Sequence, residues 1–225
     1  MKELKFIILK DDEFAVLCAL YGITHFFGSL EVKASHLSKQ EIYTTLHQLH
    51  KKELLKGDQD KVILSPEAKR ICEGISRATR LLSLVGPLTS ENHSFYYNPH
   101  TSECINLQKS WQDPHSIRVR CMPKEEIITI CEETEMFPKQ ALDEANIKDI
   151  QLEEDETIHT QYLRLNVYDL ATDESIVELL VGRAVLNTVL EYSDAVATYK
   201  KVYELEHLKQ MITTLLQGEK NHDNG

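Results

Sequence analysis

The chain has 225 residues, 42% of them hydrophobic, with 8 glycines and 6 prolines; this is enough apolar material for one large core or two small ones, and too much for a globally disordered chain. Its net charge of −11 is uneven: residues 1–92 hold 13 basic and 12 acidic side chains, leaving 12 and 24 for residues 93–225. A surface that acidic repels phosphate backbones and anionic membranes, and no stretch approaches the ~18–20 apolar residues that cross a bilayer.

In chain order, "LKFIIL" (residues 4–9) is a short bulky strand. "DDEFAVLCALYG" follows at once as a helix, with Asp11 and Asp12 at the cap, Glu13 at the positive end of the dipole and Gly22 as the stop. The opening apolar run is too short for a secretory leader and is followed by acids, so a cytosolic protein is expected. A second helix covers residues 38–53, where Ile42, Leu46 and Leu49 repeat at helical spacing. Ser65-Pro66, with Glu67 behind it, starts a third helix expected to run to about Leu84. "GPLTSEN" (residues 86–92) is the clearest break. It divides the chain into an N-terminal section (1–90) and a second section (91–218) packed against the first, followed by a disordered tail (219–225).

Beyond the break, "SFYYN", "ECINLQ" and "SIRVRC" are short strands joined by turns, and "PKEEIITICEE" (123–133) is a helix with Pro at its start. Residues 132–156 carry ten acids against two lysines, so the stretch near 143–156 reads as loop or solvated helix. "TQYLRLNVYDL" (160–170) is a strand. "TDESIVELLVGRAVLNTVLEYS" has cap residues Thr172 and Asp173 and is apolar on most of its circumference, which favours a buried helix. "AVATYKKVYE" is a strand and "LEHLKQMITTLLQG" a closing helix. Strand, acid-bearing junction and amphipathic helix thus recur three times, which lays helices back on a sheet and allows quasi-twofold halves.

Residues 37–71 have the order of the second half of a winged helix. In that reading Lys39, Gln40, Tyr43, Thr44, His47 and Lys51 would face a groove. The wing, however, carries Asp58 and Asp60, which would approach phosphates at a cost. A helix–strand–helix packing unit is favoured over DNA binding.

Signals for chemistry are few. The five cysteines (Cys18, Cys72, Cys104, Cys121, Cys131) form no CxxC pair and read as buried free thiols. His47 and His50 are three apart on one helix, but no HExxH or similar ligand spacing occurs, so no metal and no cofactor is expected. Glu125-Glu126 and the acids of residues 132–135 have no nucleophile to serve and are explained by the helix dipole and solvation. Trp111 reads as a loop ring folded onto the sheet. No GxSxG, Walker A or GxGxxG is present, so no catalytic residue is assigned and the protein is read as a non-enzyme.

The order "FIILKDDEFAVLCALYGI", "LLKGDQDKVILSPEAKRICEGISRATRLLSL", "SFYYN…ECINLQ…SIRVRCMPKEEIITIC" and "VATYKKVYELEHLKQMITTLLQ" resembles the EspG family of type VII (ESX) secretion-associated chaperones. It is also similar to EspG-like proteins of type VII loci in Gram-positive bacteria. The resemblance rests on element order and apolar pattern over most of the chain. It implies an α+β fold: a central, strongly twisted antiparallel sheet flanked by helices, with a winged-helix-like N-terminal section and quasi-twofold halves. It also implies a cytosolic adaptor that binds a helical secretion substrate and keeps it soluble, with no nucleic acid and no membrane as partner; the oligomeric state, a homodimer included, is left open.

The family's client-binding loop matches residues 98–102 here, with Asn98, His100 and Ser102, although this loop is shorter than the family's. The family's helical client region matches residues 175–192, with Ile176, Leu179, Leu180, Arg183 and Leu186. The apolarity of that region fits core burial first and a client groove second. The rival reading is a winged-helix transcriptional regulator with a C-terminal sensor or dimerisation domain.

Overall fold

A computed structural model describes residues 6–23, 34–58, 61–86, 91–110, 112–139, 157–184 and 187–218. Among these residues, nine strands form one antiparallel sheet in the order β1-β7-β6-β5-β4-β8-β9-β10-β11. The strands are β1 (Ile7–Lys10), β4 (Arg80–Val85), β5 (Glu91–Tyr97), β6 (Glu103–Ser110), β7 (Ser116–Pro123), β8 (Thr160–Asp169), β9 (Glu174–Arg183), β10 (Thr188–Asp194) and β11 (Thr198–Val202). Helices α1 (Asp11–Leu20), α2 (Lys39–Lys51), α3 (Pro66–Arg77), α4 (Ile127–Glu133) and α5 (Leu205–Gln217) flank it. A separate hairpin, β2 (Leu55–Asp58) with β3 (Lys61–Leu64), joins α2 to α3. The architecture is α+β.

Strand alternation divides the buried residues between the two faces. Leu9, Leu81, Tyr96, Ile105, Leu107, Ile117 and Val119 pack with α1, α2 and α3. Their neighbours Leu82, Leu84, Phe95, Tyr97, Cys104 and Met122, with Leu163, Leu165, Val167, Val177, Leu179 and Val181, pack with α4 and α5. Strands covered on both sides read as near-continuous apolar runs, and that is what misleads at two places.

The third helix stops at Arg77, and "RLLSLV" is β4 rather than the end of a helix to Leu84. The segment expected as a buried helix from Thr172 is the β9–β10 hairpin. Val177, Leu179 and Val181 face the α5 side, while Glu178, Leu180 and Gly182 face away, so the apolar character belongs to two faces of a strand. Gly182 admits the close approach of β8: an added Cβ would lie 2.5 Å from the Thr160 carbonyl oxygen and 2.3 Å from the Ile158 Cγ2.

Local caps follow the sequence closely. Ser38 Oγ accepts from the Glu41 N–H at 3.3 Å and Glu41 Oε2 accepts from the Ser38 N–H at 2.7 Å. Ser65 Oγ accepts from the Ala68 N–H at 3.2 Å, with Pro66 opening α3. At α1, Lys10 rather than Asp11 holds the cap position, and its N–H donates to Glu13 Oε2 at 2.7 Å. The break at residues 86–92 connects β4 to β5, which pair directly, so strands of both sections share one sheet. Trp111, the whole acidic stretch at 143–156 and the tail 219–225 lie outside the described residues.

Candidate functional site

Cross-strand register brings five loops or helix ends to one end of the sheet. Tyr97 pairs with Arg80 and Cys104, Arg80 with Asp169, and Asp169 with Glu174. Val177 pairs with Asp194, so the β5–β6 loop, the β8–β9 turn and the β10–β11 turn share that end. The C-terminus of α5 and the turn after β7 complete it.

Lys124 ties these pieces together. Its ammonium donates to three carbonyl oxygens, those of Asn98 (3.2 Å), Pro99 (2.7 Å) and Leu216 (3.3 Å). A cation is favoured there because the last carbonyls of α5 have no helical donor. Burial holds the Lys124 ammonium below the ordinary lysine value. Tyr97 OH donates to the Leu215 carbonyl at 3.2 Å, and burial raises its phenol. Gly218 ends α5 at φ 80°, where a Cβ would meet Pro99 Cβ at 2.9 Å. Glycine serves both needs, the left-handed cap and the contact with the loop.

Within the β5–β6 loop, Asn98 Oδ1 accepts from the His100 N–H at 2.9 Å and the Asn98 carbonyl accepts from the Thr101 N–H at 3.1 Å. The Ser102 carbonyl accepts from the Lys124 N–H at 2.8 Å. His100, Thr101 and Ser102 are exposed and Asn98 is half-buried. The β10–β11 turn is equally built: Asp194 Oδ1 accepts from the Val196 N–H at 2.7 Å and the Ala197 N–H at 2.8 Å, while Tyr192 OH donates to Asp194 Oδ2 at 2.8 Å. Val196 is left 72% exposed at its tip.

Between these turns and α5 lies a cleft of about 220 Å³, lined by the apolar Ile176, Val177, Tyr192, Val196 and Leu215 and by Gly218, together with the polar Arg80, Glu174, Ser175 and Asp194. Gly218 touches Pro99, so the cleft adjoins the 98–102 loop. The arrangement offers apolar shape between rigid turns. Among the described residues no group of three or more His, Cys, Asp or Glu side chains could hold a metal ion.

Compared with solved structures, the chain is similar over 96% of its length to the Mycobacterium tuberculosis type VII secretion system chaperone EspG5, solved in complex with a PE25–PPE41 dimer. The TM-score is 0.60, the identity is 8%, and 98% of that chain is covered. The two chains share a fold. No family model matches this sequence. No curated protein sequence matches it either.

On this EspG5-like fold the residues singled out from sequence separate. Asn98, His100 and Ser102 lie together on the loop pinned by Lys124, and Ile176 lies in the cleft. Ile176, Leu179, Leu180 and Arg183 are all on strand β9, not on a helix: Leu179 is 1% exposed in the core, Leu180 is half-buried on the opposite face, and Arg183 is exposed at the far end of β9, paired with Thr188. Leu186 lies outside the described residues. Sequence reading missed Lys124 and Val196. Lys124 looked like one lysine at a helix start, and Val196 followed Asp194 in what read as a plain strand.

Proposed function

We propose that this protein is a non-enzymatic adaptor that holds the apolar tip of a helical secretion substrate at this end of the sheet. The observation that carries the reading is the cleft at Ile176, Tyr192 and Val196, walled by the end of α5 and by the β8–β9 and β10–β11 turns, with the 98–102 loop beside it at Gly218. Support comes from a fold shared along nearly the whole length with a chaperone solved together with its PE–PPE dimer. An exposed valine between fixed turns is a ready anchor for an apolar partner side chain. In this reading Asn98, His100 and Ser102 contact the client from the loop, and Ile176 contacts it from the cleft. The acidic second half keeps the loaded complex soluble. Substitution of Val196 and Ile176 by Glu tests it. The wild-type chain, purified from its native host, should carry a small helical protein identifiable by mass spectrometry, and the double variant should lose it while keeping its melting temperature. A wild type that carries no such protein refutes the reading.

One observation favours the regulator as a second reading. Lys39, Gln40, Tyr43, Thr44, His47 and Lys51 of α2 are all exposed, as a groove-reading helix would require. Titration into random duplex DNA at low salt separates the two: tight, salt-sensitive binding favours the regulator.

A further inference from the structure

A second cleft lies on the other side of the 98–102 loop, between α3 and the β5–β6 hairpin. Its volume is about 170 Å³. Cavities of about 150 Å³ accept a benzene ring, so one aromatic or large aliphatic side chain fits. The floor is apolar: Gly74 brings α3 onto β6, its absent Cβ lying where it would meet Ile105 Cγ1 at 2.5 Å, and Ala78 and Ile105 flank it. Charged groups form the rim. Glu103 is paired with Arg70, and Glu73 lies 3.7 Å from Lys69. Both acids of the cleft therefore have a cation. Arg77, exposed at the last position of α3, has no acidic partner among the described residues. Among the described residues the cleft thus carries a guanidinium with no paired carboxylate beside an apolar floor, the complement of an apolar group next to a carboxylate.

We infer that this cleft binds a protein segment in which an aromatic or leucine side chain stands beside an acidic one, the ring or aliphatic group on the Gly74–Ile105 floor and the carboxylate on Arg77. Asn98 and Thr101 close the cleft from the same loop that borders the first one, so the segment belongs to the client. In that respect the inference deepens the adaptor reading and rests on it.

The test needs no client. A capped tetrapeptide, Gly-Phe-Glu-Gly, and phenylacetate are titrated into the 15N-labelled full chain. Amides of residues 70–78 and 98–105 should shift and saturate near ~1 mM, the range expected for about ten ligand atoms. Replacing Glu by Gln in the peptide, or Arg77→Gln in the protein, should weaken binding about tenfold. Peptide and protein changes made together should cost little more than either alone. Thr101→Trp, at an exposed loop position, should fill the cleft and abolish binding without altering the fold. Absence of shifts, shifts elsewhere, or an affinity indifferent to Arg77→Gln overturns the inference. Binding of phenylacetate without the peptide overturns it too, in favour of a small organic acid. Peptide binding with no client from the host would leave the cleft and remove the adaptor reading, so the two fail separately.

Discussion

The two faces of the sheet are held by different means. On the α1–α3 face the helices are neighbours in sequence, and the buried Glu13 carboxylate of α1 pairs at 2.5 Å with Lys52, at the C-terminus of α2. On the α4–α5 face the helices come from distant parts of the chain; Lys209 of α5 pairs with Glu132 of α4 at 2.7 Å, and further side chains reach backbone carbonyls. Tyr97 OH donates to Leu215, Tyr203 OH donates to Pro138 at 2.9 Å, and Lys124 grips Asn98, Pro99 and Leu216. On the α4–α5 side these contacts end on the 98–102 loop, on Pro138 and on the last turn of α5, whereas on the other side they tie the helices to strands: Lys52 Nζ also donates to the Ile8 carbonyl at 2.9 Å, and Lys109 of β6 pairs with Asp11 at 3.2 Å.

The same face holds a buried polar string. Arg120 Nε donates to Asn106 Oδ1 at 3.3 Å, Asn106 Nδ2 faces His93 Nδ1 at 3.4 Å, and the His93 ring stacks on Phe95 at 5.8 Å. Burial, then the nearby Arg120 charge, pushes His93 down to about 4.

Four experiments test this contrast. The largest effect is expected at β9, where the two faces are one residue apart. Leu179→Ala should cost about 3–4 kcal/mol in urea unfolding, and Leu180→Ala less than about 1 kcal/mol, because only the first leaves a core cavity. Equal costs would mean the two faces are equally packed there.

Next is the pH dependence of His93. Its folded pKa lies below the ordinary value of about 6.5, so the unfolded chain binds the extra proton in the window between about 6.5 and about 4. Its contribution is therefore complete above that window and is lost as pH falls through it, by on the order of 3 kcal/mol. The difference between wild type and His93→Gln, followed from pH 7 to pH 4, should show that loss; parallel curves would exclude it.

Lys124→Met should cost about 2 kcal/mol, since it removes the ammonium from the Pro99 and Leu216 carbonyls, while the Asn98 carbonyl keeps the Thr101 N–H. It should also raise amide exchange across residues 98–102 while leaving α1 and α2 protected. Protection changes spread over both faces would mean that the two layers open together. The smallest effect belongs to Tyr97→Phe, about 1 kcal/mol, read as a lower melting temperature with faster exchange near Leu215.

Much of the molecule was legible in the residues. Ser38 with Glu41 and Ser65 with Pro66 set the starts of α2 and α3, because capping is a contact within four residues. β5, β6 and β7 were readable from short β-rich runs between turn residues. The strand–helix junctions at Lys10–Asp11 and after Pro123 were visible for the same reason. The 98–102 loop was readable as a turn, but its fastening was not, since Lys124 and Leu216 lie far from it in sequence.

What the sequence determined by itself is what local physics decides: caps, turns, the α+β alternation, and a charge balance that concentrates acid in residues 93–225. Only the tertiary structure decided that residues 174–194 are two strands and that residues 80–85 are a third. An apolar run buried on both sides looks the same to a helix core as to a sheet core. The two clefts were also decided there. Their walls come from α3, α5 and three separate turns; cross-strand pairing brings the turns to one end, and core packing with the Tyr97 and Lys124 contacts brings the helices.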